Sequence, residues 1–224
     1  MSQQEQAKSV RVIRVWDPPT RIFHWTLALL LAFLWYSAGD SDLMDWHMRA
    51  GYAVLTLVLF RILWGVLGSP WSRFRAFVAS PRAALEYARG FIRGRQPPYV
   101  SHNPLGGWMV LVMLGVLLVQ AGTGLFATDD ITVRGPLNEL VGSAMARLLT
   151  RIHGWTFDLL LVLVALHVLA VFAHRLRGEP LTLAMITGRK RIADPRVPDL
   201  PYAPWWKALV MLGVITGLVY LLVT

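Results

Sequence analysis

Histidines lie within a long apolar segment of this sequence, RIHGWTFDLLLVLVALHVLAVFAHR, which covers residues 151–175. His153 and His167 are fourteen residues apart, which in an α-helix leaves them about 40° apart around the axis and ~21 Å apart along it. One helix face therefore carries two imidazoles at two depths. Imidazole is the commonest side-chain ligand of metals, and ionisable groups within membrane helices usually have a function.

Two other apolar segments carry one histidine each. His24 lies near the start of the first segment and His47 at the start of the second. Matching by depth pairs His24 with His167 and His47 with His153. A planar macrocycle ligated on both faces needs two imidazoles at one level on facing helices, so these four residues predict the iron ligands of two six-coordinate haems. The sequence has no cysteine, which excludes thioether attachment and leaves two non-covalent b-type haems.

Two further groups lie on the same helices. Arg61 follows His47 by fourteen positions, and it either pairs with a haem propionate or extends to the lipid headgroups. Gly51 and Gly65 are also fourteen apart, and they serve either close approach of a porphyrin or plain helix packing.

Three further polar residues each have two alternative roles. His102 and His174 lie at the inner interface, where snorkelling suffices, although a place near a quinone or a haem propionate is the alternative. Asp158 is rotated away from the histidine face. It either bonds to a neighbouring helix or marks a proton or quinone position.

Composition identifies the elements that must hold these residues. The chain is 55% hydrophobic and 16% charged with a mean hydropathy of +0.50, which is typical of an integral membrane protein. Apolar segments of spanning length cover residues 20–39, 47–68, 105–127, 152–174 and 205–223. We therefore predict an all-α membrane protein with a four-helix dihaem bundle and a fifth, C-terminal transmembrane helix.

Basic residues predict the orientation in the membrane. Most of the 22 Lys and Arg residues, Lys8 and Arg95 included, lie in the segments 1–21, 68–104 and 175–204. By the positive-inside rule these segments and the N-terminus are cytoplasmic, and the C-terminus is periplasmic. The net charge of +9 has this explanation, so we expect no nucleic-acid partner.

Two cytoplasmic linkers have helical signals. In SPRAALEYARGFIRG, Ser80 is a candidate N-cap and apolar residues form one stripe, which predicts a short helix on the membrane surface. In EPLTLAMITGRKR, Pro180 and Gly188 are start and stop signals.

Several stretches resemble the prokaryotic cytochrome b561 family. They are RIFHW, HMRAGYAVLTLVLFRILWGVLG, NPLGGWMVLVMLGVLLVQAGTGL, HGWTFDLLLVLVALHVL and ITGRKR, and the resemblance covers about residues 12–195. It implies a four-helix dihaem bundle that moves electrons between a partner protein and membrane quinone, with His24, His47, His153 and His167 at the matched positions. The fifth helix departs from the short four-helix members of the family.

These observations predict an electron-transfer subunit of the bacterial inner membrane rather than a catalyst by itself. Its partner would be a periplasmic dehydrogenase, hydrogenase or c-type cytochrome that docks on the outer loop 128–151 near Asp129 and Asp130, and a homo-oligomer is possible. The alternatives are a stand-alone superoxide:quinone oxidoreductase and a proton-coupled transporter. The expected domains are a cytoplasmic segment 1–19, a dihaem domain 20–195 with an amphipathic linker 69–104, and a linker with the fifth helix, 196–224.

Overall fold

The computed structural model of the chain describes residues 10–94 and 99–224. Within them the chain forms β1 (Arg11–Arg14), α1 (Pro18–Ser37), α2 (Met44–Leu67), α3 (Pro81–Ile92), α4 (Pro104–Gly124), α5 (Ser143–Leu176), α6 (Leu181–Thr187), β2 (Arg189–Ile192) and α7 (Trp205–Val223). The fold is mostly helical, as the sequence predicts, with a small sheet that the sequence did not predict. Lys8 and Arg95, which entered the orientation argument, lie outside the described residues.

Long apolar helices dominate the described part of the chain. Four spans there are long and apolar enough to cross a membrane, namely Ser41–Leu67, Pro104–Gly124, Ser143–Leu176 and Trp205–Val223. This multi-pass pattern confirms the membrane class. Helix α1 forms over 20 residues but is not among the four. Its first turns carry Arg21 and His24, so its crossing stays a prediction.

Helix α5 is longer than expected. It begins at Ser143, whereas the hydropathy pattern placed its start near residue 152. The added turns contain Arg147 and Arg151, which break the apolar run, so a hydropathy window ends before them although the backbone continues the helix. Residues 143–151 of the predicted outer loop 128–151 are therefore helical.

Capping residues fix the helix ends. Asp17 accepts the backbone N–H of Thr20 at 2.9 Å, and Asn103 accepts that of Gly106 at 2.7 Å, which satisfies free donors at the starts of α1 and α4. The predicted N-cap Ser80 accepts from Ala83 at the start of α3. Both predicted linker helices, α3 and α6, are confirmed.

The two strands form an antiparallel ribbon. The register pairs Arg11 with Ile192 and Arg14 with Arg189. Beneath the ribbon lies a buried apolar cluster that consists of Ile13, Val15, Trp16, Ala184 and Ile192. This burial explains why two segments so rich in arginine pair at all.

Contacts divide the chain into two compact units. The first comprises Met1–Ile22, Leu63–Leu111 and His167–Ala208, and it contains the ribbon, α3 and α6. The second comprises Phe23–Ile62, Val112–Leu166 and Leu209–Thr224, and it contains His24, His47 and His153.

Candidate haem-ligand site

The second unit brings His47 and His153 together. His47 lies in the first turn of α2 and His153 lies in α5. His153 is among the groups whose charge would act on the ring of His47. The depth argument pairs the same two residues at the outer level, and that pairing stays a prediction.

Hydrogen bonds orient the ring of His47. Its Nδ1 lies 3.1 Å from the hydroxyl oxygen of Ser37, at the end of α1. That hydroxyl donates its single proton to the carbonyl of Phe33 at 2.9 Å, so it accepts from Nδ1–H. The proton therefore sits on Nδ1, and the lone pair of His47 is on Nε2.

His153 has the same tautomer for a similar reason. Its Nδ1 lies 2.9 Å from the backbone carbonyl of Gln120 on α4, and a carbonyl can only accept. Its Nε2 lone pair faces the side-chain amide of Gln120 at 3.2 Å, and the oxygen of that amide accepts from Thr156. A histidine that holds a metal typically donates its other ring N–H to such an acceptor, so both rings fit an axial ligand of haem iron.

Glycines around the pair differ in what surrounds them. A Cβ at Gly51, one turn after His47, would meet no atom within 4 Å. A Cβ at Gly124 would lie 3.0 Å from the His153 ring, so Gly124 lets α4 approach that ring. Gly65, in the first unit, has different surroundings, because a Cβ there would overlap the ring of Phe74. Of the two interpretations weighed for Gly65, packing is the one that the contacts favour.

The inner set is distributed over both units. His24 and Arg61 belong to the second unit and His167 to the first, so the inner pairing stays a prediction from the sequence. The His24 ring packs edge-on against Trp25, with the ring centroids 5.0 Å apart. Arg61 is only 3% exposed, so it is a buried cation rather than a side chain that extends into headgroups.

His174 is a buried structural group of the first unit, and His102, in the same unit, is half-buried. The Nδ1 of His174 lies 2.9 Å from the Glu179 carboxylate, and its Nε2 lies 3.3 Å from the side-chain nitrogen of Asn103. His102 packs between the rings of Trp16 and Phe77, with centroid distances of 4.6 Å to each. Neither ring snorkels, because tertiary contacts that the sequence does not reveal enclose both.

Sequence reasoning also missed a buried carboxylate near the ribbon. Asp17 is fully buried and accepts from the indole N–H of Trp64 at 2.9 Å while it caps α1. The start of α1 is thereby tied to the end of α2. The only local signal was an acidic residue immediately before two prolines, which is typical of an N-cap.

Two aspartates behave differently from each other. Asp158 is exposed on α5 and makes no hydrogen bond or ion pair with other described residues, so the predicted bond to a neighbouring helix is not seen there. Asp129 is engaged by its own loop, because its Oδ1 accepts the backbone N–H groups of residues 131, 132 and 133. Those bonds hold the pKa of Asp129 below its ordinary value, so a substitution there would disturb the loop itself.

The donor set is suited to a macrocycle rather than to a bare ion. Among the described residues no three His, Asp or Glu side chains cluster in a way that could hold a metal ion. Two imidazoles could hold the iron of a haem, whose porphyrin would supply its other ligands.

Comparisons with known proteins agree with this chemistry. Residues 15–188 match a family described as prokaryotic cytochrome b561. Curated relatives named "Probable Ni/Fe-hydrogenase B-type cytochrome subunit" occur in Azotobacter vinelandii, at 26% identity over 88% of this chain and 95% of the relative, and in Cupriavidus necator, at 22% identity over 84% and 90%. A third relative of that name, from Azotobacter chroococcum, is 25% identical over 88% and 95%. No solved structure matches the chain.

Proposed function

Because this chain belongs to the prokaryotic cytochrome b561 family, we propose that it is a two-haem cytochrome subunit that carries electrons between a periplasmic redox partner and quinone. Family membership makes it a b-type cytochrome, and therefore a protein of electron transfer. The number of haems, the partner and the quinone are the proposed part.

The observation that carries the proposal is the pairing of His47 with His153. Both rings keep their proton on Nδ1 by donating to fixed acceptors, and their lone pairs are on Nε2. His153 is also among the groups whose charge would act on His47. We propose that these two residues would hold the iron of an outer haem, and that His24 and His167 would hold that of an inner one.

The chain's own residues then perform three tasks. Haem b, when bound, supplies a reversible one-electron iron couple. The four histidines would hold the two irons, with two imidazoles for each, which would leave no open coordination site for oxygen chemistry. Ser37 and Gln120 keep the rings oriented, and buried Arg61 would balance propionate charge at the inner level.

The ribbon supports the proposed five-span topology. Strands β1 and β2 pair with each other, and an open sheet edge does not lie within hydrocarbon, so both strands lie on one side of the membrane. The chain between them must cross an even number of times. Of the long helices between them, α2, α4 and α5 are spanning candidates, so α1 would supply the fourth crossing. Helix α7 would then place the C-terminus on the opposite side, and the basic ribbon favours a cytoplasmic N-terminus in a bacterial inner membrane.

The names of the relatives suggest the type of partner. They are designated subunits of nickel–iron hydrogenases, and the matches cover most of each protein. We propose a hydrogenase-type partner on the outer side, with electrons passing from the outer haem to the inner haem and on to quinone.

A haem count tests the proposal directly. The purified protein is expected to give a reduced-minus-oxidised b-type spectrum and two haems per chain in the pyridine haemochrome assay, all removed by acid acetone. A soluble quinol such as decylubiquinol should reduce both haems. One haem per chain would reject the two-pair arrangement, and haems that quinol leaves oxidised would reject the link to quinone.

A further inference from the structure

One face of the ribbon turns into the protein. The register places Ile13 opposite Lys190 and Arg11 opposite Ile192. Ile13 and Ile192 are buried, and the ammonium of Lys190 donates to the carbonyl of Tyr99 at 2.6 Å. The side chain of Lys190 therefore lies on the interior side of the ribbon. A ligand could reach the opposite face.

The outward face combines arginines with exposed valines. The pairs on this side are Val12 with Arg191 and Arg14 with Arg189. Val12 is 57% exposed, and Arg189 and Arg191 are exposed as well. Like charges directly opposite in a strand pair repel each other, so a nearby anion would stabilise the pair Arg14 and Arg189.

Only part of that positive charge is balanced within the protein. Asp199 pairs with Arg14 at 3.1 Å. In the part of the chain that the structure describes, no carboxylate forms an ion pair with Arg189 or Arg191. A recess of about 330 Å³ on this ribbon is lined by Val12, Ile13, Arg14, Arg189 and Asp199, which is ample room for a phosphate group.

Contacts place the ribbon at the level of lipid headgroups. The Tyr202 hydroxyl donates to the carbonyl of Gly188, the residue before β2, at 3.1 Å. Tyr202 precedes by three positions the spanning helix α7, whose first residue, Trp205, is 70% exposed. Exposed tryptophan at the end of a spanning helix marks the membrane interface. At the other strand, Arg14 lies only four positions before α1.

We propose that the outward face of the ribbon binds the headgroup of an anionic phospholipid. The phosphodiester is held by Arg189 and Arg191 beside the recess, and Val12 contacts the glycerol and upper acyl region. The exposed valine distinguishes a lipid from free phosphate, because an apolar side chain gains nothing from a fully hydrated ion. Basic residues at the membrane surface attract anionic lipids, and this ribbon adds a fixed geometry to that attraction.

Native mass spectrometry of the detergent-solubilised holoprotein tests this site. We expect phosphatidylglycerol to bind more tightly than phosphatidylcholine, and the double variant R189Q/R191Q to weaken phosphatidylglycerol binding on the order of tenfold. The matched control is R134Q, which removes an exposed arginine of the second unit and should leave binding unchanged. The variant R189K/R191K keeps both charges and should retain most of the affinity.

Further measurements distinguish a lipid site from a free-phosphate site and test the role of charge. Excess inorganic phosphate should not displace phosphatidylglycerol, and displacement would show a free-phosphate site instead of a lipid site. Higher salt should weaken phosphatidylglycerol binding to the wild type, a measurement that needs no folded variant. Equal binding of the two lipids, or equal binding by R189Q/R191Q and wild type at matched haem content, would overturn the proposal. The test does not depend on the proposed haem pairing.

Discussion

The histidines of the two units are held in different ways. In the second unit, His47 and His153 each donate from Nδ1 to a neutral oxygen, and neither contacts a carboxylate among the described residues. In the first unit, His174 contacts a carboxylate on one ring nitrogen and an amide on the other, and His102 packs between aromatic rings.

The comparison teaches how to distinguish a ligand from a structural histidine. A structural imidazole is stabilised by using both nitrogens, and the Asn103 amide that contacts His174 is itself fixed by capping α4. A ligand would need one oriented nitrogen and a second that can reach a metal. The Gln120 amide lies 3.2 Å from Nε2 of His153 and its oxygen accepts from Thr156, so this amide would have to move before that nitrogen binds a metal. Burial alone does not separate the two classes.

Replacing ligands should have the largest effect. H47A and H153A are each expected to lose the same outer haem, and H24A and H167A the same inner one, which leaves about half of the haem absorbance in every case. H174Q, which keeps a donor and an acceptor in place, should retain both haems. Potentiometric titration of each variant reports which component remains. Loss of one component by H24A and H153A together would show that the pairing is wrong.

Removing the hydrogen-bond partner of a ligand should have a smaller effect. In S37A the Nδ1–H of His47 loses its hydroxyl acceptor, so outer-haem retention should fall by about tenfold, and the outer midpoint potential should rise because the imidazole donates less electron density. T216A is the control, because Thr216 makes the same type of bond to a carbonyl in its own helix, at 2.8 Å from Leu212, without a histidine. Equal potentials in S37A and wild type would contradict the ligand assignment of His47.

A substitution near the ribbon should lower the thermal stability of the protein rather than its haem content. Gly188 has φ +76°, and a Cβ there would lie 2.5 Å from the carbonyl oxygen of Trp16. We expect G188A to cost about 1–3 kcal/mol and lower the melting temperature. G178A is the matched control, because Gly178 has φ +82° with nothing within 4 Å. If the two variants melt alike, the Trp16 contact has no energetic role.

The smallest effect concerns acid stability. The hydrogen bond with His174 is the main cause that lowers the pKa of Glu179 below its ordinary 4.5. A lowered folded-state pKa gives stability that is present above pH 4.5 and is lost as the pH falls through the folded value. Wild type should therefore lose more stability than E179Q as the pH falls from about 5 to about 3 in thermal melts. E86Q, at the exposed Arg82 pair, should follow wild type.

Hydropathy and spacing predicted much of the architecture. Long apolar runs identified α2, α4, α5 and α7, and capping residues identified α3 and α6, because these signals are local. Counting residues along helices also predicted the outer pair, since 3.6 residues per turn fixes both face and depth, and that pairing stays a prediction.

The long-range contacts could not be predicted from the sequence. The ribbon joins short segments whose charge argues against pairing, and only the buried cluster around Ile13 and Ile192 explains it. Likewise, nothing local to His174 indicates that Glu179 and Asn103 will enclose it, or that Asp17 will meet Trp64. The first turns of α5 were missed because Arg147 and Arg151 interrupt the apolar run, and a hydropathy window measures apolarity and not helicity.

The ribbon also sets an order of events during synthesis. The backbone of Arg14 bonds to the side chain of Asp199, 185 positions further along the chain, and β1 pairs only with β2. At ~5–20 residues per second, β1 waits roughly 10–40 s after it emerges before its partner strand is made. In that interval α1, α2, α4 and α5 are synthesised. An unpaired strand edge attracts other strands, and the arginines of β1 deter such pairing while it waits. The ribbon can thus form only after the helices between its two strands have been synthesised.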